Sequence, residues 1–204
     1  MAQELYTDTR EYTDADFTGD FILDPDHTTV SFTGKHAMIS SVHGLFDEWE
    51  AKVSIDVANP ENSWVEGAVT TSSLSTRLPQ RDAHLKSDDF LNVREYPNMT
   101  FVSTDFQIHG SDTVYVTGDM TIRGITKPVV FTVRITGTDT DPFGNYRLGF
   151  SARTTFNRQD FNMKFNTRLD SGSLFVGNEV SVSVDGSAIR TSATISADSG
   201  HAAV

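Results

Sequence analysis

The side chains best suited to bind or polarise a ligand lie close together around residue 81. Arg81, His84 and Leu85 follow the i, i+3, i+4 spacing that places side chains on one face of a helical turn. A guanidinium and an imidazole on that face can donate hydrogen bonds to an anionic or oxygen-rich headgroup, such as a diphosphate or a quinone. The same stretch can also act as a clamp, in which Arg81 and Asp82 pair with the ends of neighbouring strands. The sequence leaves both interpretations open.

Other motifs that carry chemistry do not occur in the sequence. No histidine pair has the HxH or HExxH spacing of a metal site, and neither a G-x-S-x-G nucleophile motif nor a glycine-rich phosphate loop is found. The chain has no cysteine, which excludes thiolate ligands and a cysteine nucleophile. We therefore predict no catalytic residue, no metal and no cofactor. The histidines considered as metal ligands are His27, His36, His43, His84 and His109.

Charge and hydropathy limit the partners of the chain. Its 204 residues include 16 Lys and Arg against 28 Asp and Glu, a formal net charge of −12 at pH 7. The electric field of a negatively charged protein repels a phosphate backbone, so we predict no nucleic-acid partner. The longest apolar runs have three residues, as in 21–23, whereas a membrane-spanning helix needs about 20. No integral membrane segment is predicted.

The two ends of the chain differ from its middle. Residues 1–19 are acidic, residues 191–204 are rich in Ser, Ala and Thr, and neither segment shows a periodic apolar face. We predict two flexible ends around one domain over residues 20–190. The first segment also lacks the basic start and apolar core of a secretory signal peptide, which predicts a cytoplasmic protein unless a leader has been removed.

Between these ends, apolar and polar residues alternate, as is typical of strands with one buried face. The clearest case is residues 48–57, where every second residue from Trp49 to Val57 is apolar or small. About eight such strands are predicted. The other inward-facing sets are Thr28/Val30/Phe32, Val65/Gly67/Val69, Val102/Thr104/Phe106/Ile108, Val114/Val116/Gly118/Met120/Ile122, Val129/Phe131/Val133/Ile135, Tyr146/Leu148/Phe150/Ala152 and Val180/Val182/Val184.

Short links rich in Pro, Gly, Asn and Asp separate these strands, as expected for antiparallel neighbours. Eight one-sided antiparallel strands can close into a barrel that leaves no exposed edge, and a two-sheet sandwich is the alternative. One helical stretch is predicted over residues 79–91, because Pro79 suits a first helical turn. A barrel of this size is either filled by its own side chains or wide enough for one ligand, and composition alone does not decide between them.

Four blocks of sequence occur in a characteristic order. They are DPDHTTVSF, KH and VHGLF within 24–46; RDAHLKSDDF and YPNMTF within 81–101; GDMTIRGITKPV over 118–129; and NRQDFNM with VGNEV within 157–180. In this order and spacing they resemble the signature of the YceI-like family, whose members bind lipids, often polyisoprenoids. The chain departs from that pattern at Asn162, where the family usually has Gly, at Arg123, where it often has His, and at Thr29, where it usually has Ser.

The resemblance implies an all-β fold, an extended eight-stranded antiparallel lipocalin-like barrel with one short helical segment and an elongated apolar tunnel. A polyisoprenoid, an isoprenoid quinone or another long amphiphile would lie along that tunnel. The candidate ligand-binding residues are Phe32, His36, Phe46, Trp49, Arg81, His84, Leu85, Phe90, Phe101, Phe106, Phe131, Phe150 and Phe161. Arg158 and Asp160 are predicted to pair and close the end of the barrel.

From these observations we predict a non-enzymatic protein that carries or sequesters a long apolar amphiphile. One alternative is an enzyme acting on an isoprenoid-type lipid, with Arg81 and His84 as polarising groups. A second alternative is a ligand-free module with a packed core that binds a protein partner. The sequence leaves open whether two such barrels pair into a homodimer.

Overall fold

The computed structural model describes residues 12–191. The predicted flexible tail lies outside the described residues except for Thr191, as does the first part of the predicted acidic segment. Within the described part of that segment, helix α1 spans Asp14–Phe17 and Gly19 begins the first strand.

Eleven strand segments and two α-helices form the described part of the chain. In order they are α1 (Asp14–Phe17), β1 (Gly19–Leu23), β2 (Thr29–His36), β3 (Ser40–Phe46), β4 (Trp49–Ile55), β5 (Trp64–Thr70), β6 (Leu74–Ser75), α2 (Pro79–Lys86), β7 (Asn98–His109), β8 (Thr113–Ile122), β9 (Ile125–Thr140), β10 (Tyr146–Asn157) and β11 (Val176–Arg190). Three 3₁₀ turns also occur, at Pro60–Asn62, Thr71–Ser73 and Arg158–Phe161.

The strands form a closed antiparallel barrel with eight strand positions. Around the wall the order is β1, β4, β5, β7, β8, β9, β10 and β11, and β11 returns to β1 through residues 188–190. At one end of the barrel, three of the eight strand positions are occupied by separate strand segments. There β2 pairs with β11, β3 pairs with β2, and β6 pairs with β3. The predicted eight-stranded barrel is confirmed. Three of its strands are interrupted, at residues 24–28, 47–48 and 71–73, so each of the three consists of two segments.

Strand alternation defines the inner face of the barrel, because successive side chains of a strand point to opposite sides. In β4, the predicted set of Trp49, Ala51, Val53 and Ile55 lines the central cavity. The outward side chain of Lys52, between two of these residues, pairs with Glu66 on β5 at 3.7 Å. The wall therefore has an apolar inner surface and a charged outer one.

The predicted inner face of β7 is wrong in its first half. The sequence pattern groups Val102 and Thr104 with Phe106, but a β-bulge between Ser103 and Asp105 adds a residue to β7 opposite β8. The extra residue reverses the alternation. Phe106 lines the cavity, whereas Val102 is 48% exposed on the outside.

The predicted helical stretch over 79–91 is shorter in the structure. Helix α2 begins at Pro79 and ends at Lys86, where the N–H of Ser87 donates to the carbonyl oxygen of His84 at 3.1 Å. The N–H of Leu91 then donates to the carbonyl oxygen of Leu85 at 3.1 Å and turns the chain back against the helix. Helix α1 and the three 3₁₀ turns were not predicted, because each is too short to show a helical period.

Buried apolar side chains form two clusters, one toward each end of the barrel. The cluster near α2 contains Val30, Phe46, Leu74, Leu91, Met120, Ile122, Phe161 and Met163. The cluster toward the opposite end contains Phe21, Leu23, Leu148 and Ala188. The fold is thus packed at its two ends around a central space.

Candidate ligand-binding tunnel

A cavity of about 1180 Å³ runs through the barrel from α1 to α2. Phe17 and residues 110–112 line it at one end, and Arg81, His84 and Phe175 line it at the other. The volume exceeds the roughly 300–1,000 Å³ of most small-molecule sites. Apolar atoms make up most of the lining, so this tunnel suits a long apolar molecule.

Two groups of chain segments surround the two ends of the tunnel. The helical mouth comprises residues 34–41, 76–81 and 163–169. The opposite mouth comprises residues 12–18, 56–63, 109–113 and 139–145.

Twelve of the thirteen predicted ligand-binding residues line the tunnel. They are Phe32, His36, Phe46, Trp49, Arg81, His84, Leu85, Phe90, Phe101, Phe106, Phe131 and Phe150. The remaining residue, Phe161, is 1% exposed and does not belong to the lining. Its ring packs against the ring of Phe156, with centroids 5.1 Å apart, in the core cluster near α2. Phe161 is therefore a core residue and not part of the tunnel lining.

Glycines on neighbouring strands explain why large aromatic side chains leave the tunnel open. The ring of Phe32 lies over Gly44, its partner on β3, where a Cβ atom would come within 2.3 Å of the ring. The ring of Phe101 lies over Gly118 in the same way, 2.5 Å from where a Cβ would stand. Because these rings rest against the backbone of the wall, they take up less of the centre of the barrel.

Sequence reasoning missed several aromatic and apolar residues of the lining. Leu78, Phe165 and Phe175 line the tunnel at the helical mouth, and Tyr12 and Phe17 line it at the opposite mouth. All five lie outside the long strands, so no period of two marks them. The available signal was their apolar character within otherwise polar connecting segments.

Arg81 and Asp82 form a clamp at the start of α2. The Nε of Arg81 donates to the hydroxyl of Thr76 at 2.7 Å, and its Nη2 donates to the carbonyl oxygen of Thr76 at 2.9 Å. Asp82 accepts from the N–H of Thr76 at 2.8 Å and also from its hydroxyl. Because Thr76 directly follows β6, these bonds fix the helix to the barrel wall. Arg81 has both predicted placements, since it forms the clamp and also lines the tunnel.

His84 is held by an acidic partner and two aromatic rings. Its Nε2 lies 2.8 Å from Oδ2 of Asp89. The imidazole meets the rings of Phe90 and Phe165 edge-on, with centroids 5.1 and 4.6 Å away. This packing joins α2 to the irregular segment that carries Phe165, so His84 contributes to the shape of the tunnel end.

Arg158 is buried without a carboxylate partner, and its predicted ion pair with Asp160 is wrong. The side chain is 2% exposed and lines the tunnel near the helical mouth. Its guanidinium donates to the carbonyl oxygens of Gly177 at 2.9 Å, of Val176 at 3.4 Å and of Met163. Burial lowers the pKa of this guanidinium, which nevertheless stays charged near neutral pH.

Carbonyl oxygens replace a carboxylate at Arg158 because of its place in the chain. The 3₁₀ turn Arg158–Phe161 directs Asp160 to the surface, while Arg158 faces the start of β11. The guanidinium thus joins the two ends of the segment between β10 and β11. Its Cζ also lies 5.7 Å from the centre of the Phe90 ring, which brings the loop after α2 to the same point.

An ion-pair network lies toward the opposite mouth. Asp24 is buried and accepts from Nη1 of Arg147 and from Nδ1 of His27, the latter at 2.7 Å. The Nε of Arg147 donates to Asp141 at 2.7 Å. Burial alone would raise the pKa of Asp24, but hydrogen bonds from Arg147, His27 and the Asp26 N–H outweigh it and lower the pKa. Hydrogen bonds from Asn145 and Arg147 hold the pKa of Asp141 well below its usual range.

This network predicts a specific loss of stability in acid. Carboxylates with a lowered pKa stabilise the folded state above the unfolded pKa of about 3.9, and this stabilisation is lost as the pH falls toward the folded pKa. We expect the free energy of unfolding to fall as the pH drops from 5 to 3, because these carboxyls take up protons in the unfolded chain while they stay ionised in the folded one, and to fall less steeply in Arg147→Met. Urea unfolding at several pH values measures this slope.

The control for that experiment is Arg94→Met, at an exposed position for which the described contacts include no ion pair. It should retain the wild-type slope of unfolding free energy against pH. Equal slopes in Arg147→Met and Arg94→Met would contradict a role for the network in acid stability.

The described residues contain neither a metal-binding cluster nor a membrane-spanning helix. Over residues 12–191, His, Asp and Glu side chains form no group of three or more suited to holding a metal ion. In the same range, neither α-helix has the length and apolar character required to cross a membrane.

Comparison with known sequences identifies the domain. The model of the YceI-like domain matches residues 21–188. A UPF0312 protein of Pseudomonas savastanoi pv. phaseolicola is 41% identical over 147 residues, which cover 71% of this chain and 77% of that protein. A UPF0312 protein of Shewanella denitrificans is 37% identical over 147 residues, with the same two coverages.

Comparison with solved structures shows the same fold. Burkholderia cenocepacia BcnA superposes with a TM-score of 0.71 at 22% identity, covering 83% of this chain and 99% of BcnA. The Campylobacter jejuni YCEI protein gives 0.65 at 27% identity, covering 77% and 90%. A polyisoprenoid binding domain from Saccharophagus degradans, implicated in plant cell wall breakdown, gives 0.61 at 11% identity, covering 85% and 99%.

Proposed function

Because the chain belongs to the YceI-like family, we propose that it is a non-enzymatic protein that binds one long apolar amphiphile in its tunnel and carries or sequesters it. A polyisoprenoid or an isoprenoid quinone is the proposed class of ligand. The polyisoprenoid binding domain from Saccharophagus degradans, which has the same fold, supports this choice. The acidic surface, with a formal net charge of −12, would keep such a cargo in solution.

The observation that carries the proposal is the apolar tunnel between the two mouths. Its inner wall is built from alternate residues of the long strands, including Phe106, Phe131 and Phe150. A packed core would leave no space of about 1180 Å³ at this place. The tunnel therefore favours a ligand-binding protein over a partner-binding module with a filled interior.

A structural role accounts for the two polar groups at the helical end of the tunnel. Arg81 and His84, the two groups that an isoprenoid-processing enzyme would use to polarise its substrate, are bound to Thr76 and Asp89. Their bonds fix α2 and the tunnel end in place. A carrier needs this rigidity and no reactive group, so we assign no catalytic residue.

Native mass spectrometry of the protein isolated from its host tests the proposal. A stoichiometric adduct that yields an isoprenoid-type lipid on denaturation would support it and identify the cargo. Bare protein, together with no change in mass or melting temperature after isoprenoid addition, would contradict it.

We expect affinity to depend on tail length more than on the headgroup. Burial contributes about 0.8 kcal/mol per CH₂, so each five-carbon unit adds on the order of 3 kcal/mol until the tunnel is full. Isothermal titration with isoprenoid alcohols of increasing length should show affinity rising and then levelling off. An alcohol and a diphosphate of equal length should differ less than two alcohols one unit apart. An affinity that follows the headgroup and ignores length would contradict this expectation.

A further inference from the structure

Exposed apolar side chains project from the helical mouth. Met38 and Ile39, at the tip of the hairpin between β2 and β3, are 52% and 88% exposed, and Leu78 is exposed at the start of α2. Neither Met38 nor Ile39 belongs to the tunnel lining. Large apolar side chains clustered at a surface commonly mark an interaction site. Ligand enclosure alone does not account for the exposure of Met38 and Ile39.

The hairpin tip adopts a conformation that its residues disfavour. Ala37 and Met38 have φ values of 50° and 62°, and the N–H of Ile39 closes the turn on the carbonyl oxygen of His36 at 3.1 Å. A turn of this kind favours Asn and Gly, which accept positive φ at low cost. Here the chain instead presents a methionine and an isoleucine to the solvent.

The segments that form the helical mouth are rich in positive charge. The three segments of the helical mouth contain five basic residues and no Asp or Glu, although the whole chain has a formal net charge of −12. Within residues 12–191, none of the five forms an ion pair with a carboxylate. The acidic residues beside these segments are Asp82, which accepts from Thr76, Asp89, which pairs with His84, and Asp160 and Asp170. The basic residues are Lys35, Arg77, Arg81, Lys164 and Arg168.

The opposite mouth has the reverse charge. Its four segments contain seven acidic residues and no Lys or Arg. Two of these acidic residues, Asp112 and Asp141, pair with arginines on the strands. Phe143 is 89% exposed in this region, so exposed apolar area occurs at both mouths, and only the helical mouth combines it with basic charge. The acidic residues are Asp14, Asp16, Asp56, Glu61, Asp112, Asp139 and Asp141.

Direct contacts hold the segments of the helical mouth around the tunnel opening. The N–H of Ala37 donates to the carbonyl oxygen of Phe175 at 2.7 Å, and the rings of His36 and Phe175 are 4.9 Å apart. The ring of Phe165 packs on His84, which fixes the irregular segment against α2. The basic and apolar side chains therefore belong to one surface that is continuous with the tunnel lining.

We propose that the helical mouth docks on a bilayer surface rich in anionic lipid, with Met38 and Ile39 inserted between the headgroups, and that cargo passes through this mouth. Lys and Arg near such a surface are attracted by its negative potential, and inserted apolar side chains add binding. The acidic remainder of the protein faces away, which sets the orientation. The docking step rests on the proposed function, because it gives a lipid carrier its route of loading.

The test is vesicle flotation with the full chain, using phosphatidylcholine vesicles with and without phosphatidylglycerol. We expect binding only to the anionic vesicles, with a decrease on adding salt. The double variant Met38→Ser/Ile39→Ser should bind at least tenfold more weakly, as should Arg77→Glu/Lys164→Glu. Phe143→Ser removes an equally exposed apolar side chain at the opposite mouth and should bind like the wild-type protein.

Titration of the same variants with a soluble isoprenoid alcohol separates docking from ligand binding. The Met38→Ser/Ile39→Ser protein should keep wild-type affinity for the alcohol, because neither residue lines the tunnel. Equal vesicle binding by this variant and the wild-type protein would overturn the docking proposal even if the alcohol binds. If the wild-type chain does not bind anionic vesicles and instead captures an acidic protein, the docking proposal would be overturned in favour of a protein partner. Failure of the wild-type chain to bind any isoprenoid would instead overturn the proposed function.

Discussion

The Val133→Trp variant should bind a long isoprenoid more than a hundredfold more weakly than the wild-type protein. Val133 lies in the middle of β9, between Val114 on β8 and Ala152 on β10, and all three line the tunnel. An indole at this position would divide the tunnel and exclude at least one five-carbon unit of the tail. Loss of about 3 kcal/mol of burial corresponds to more than a hundredfold in the dissociation constant. Titration with a long isoprenoid alcohol measures this loss.

The adjacent residue on the same strand supplies a matched control. Thr132 is exposed on the outside of the barrel, so Thr132→Trp adds the same side chain without entering the tunnel. It should keep wild-type affinity, and both variants should keep the wild-type circular dichroism spectrum because the indole of the first enters empty space. Short alcohols should still bind to Val133→Trp. Undiminished binding of the longest alcohol by a folded Val133→Trp protein would show that the tail does not lie in the tunnel.

The Arg158→Met variant should lose about 3–5 kcal/mol of stability. Methionine fills a similar space but leaves the carbonyl oxygens of Gly177, Met163 and Val176 without their donor. Each buried polar group left unpaired costs about 1–3 kcal/mol. Arg158→Lys should also be destabilised, because one ammonium cannot reproduce the fork that spans these acceptors. Urea unfolding at neutral pH gives the change in the free energy of unfolding.

Arg153→Met is the control for the effect of losing an arginine. Its guanidinium is half exposed and pairs with Asp185 at 2.8 Å, on the outside of β10 and β11. An exposed pair of this kind contributes about 1 kcal/mol or less. If Arg158→Met were no less stable than Arg153→Met, the carbonyl bonds of Arg158 would not stabilise the fold.

Strand alternation made the long strands predictable from the sequence, because each has one face toward the tunnel and one toward water. The choice of a barrel over a two-sheet sandwich rested on the resemblance to the YceI-like family. The pattern was sufficient for β4, where Trp49, Ala51, Val53 and Ile55 line the tunnel. It failed at Val102, because a bulge one residue later changes which side the chain faces and leaves no mark in composition. The interruptions at residues 47–48 and 71–73 were not predicted, whereas the turn residues Asp24, Pro25 and Asp26 mark the third.

The tunnel ends were less predictable than its middle. Phe165 and Phe175 lie in a connecting segment without periodic pattern, so only the fold shows that they meet His84 and His36. The Arg158–Asp160 pair failed because proximity in sequence does not determine which acceptors a buried guanidinium meets. Asn162, by contrast, behaves as its residue type suggests, with a φ of 60° at a position where the family usually has Gly.

The last strand, β11, closes the barrel. Through β11, residues 188–190 pair with β1 and residues 176–185 pair with β2, and the hydroxyl of Thr28 reaches the carbonyl oxygen of Ser187 across 159 positions. During synthesis the wall therefore lacks one strand until β11 has left the ribosome, and its apolar inner face is exposed to water until then. Because the joined segments are far apart in the sequence, we expect closure to be the slow step of folding. A nascent chain that stalls before β11 would form an open, aggregation-prone sheet rather than a smaller barrel.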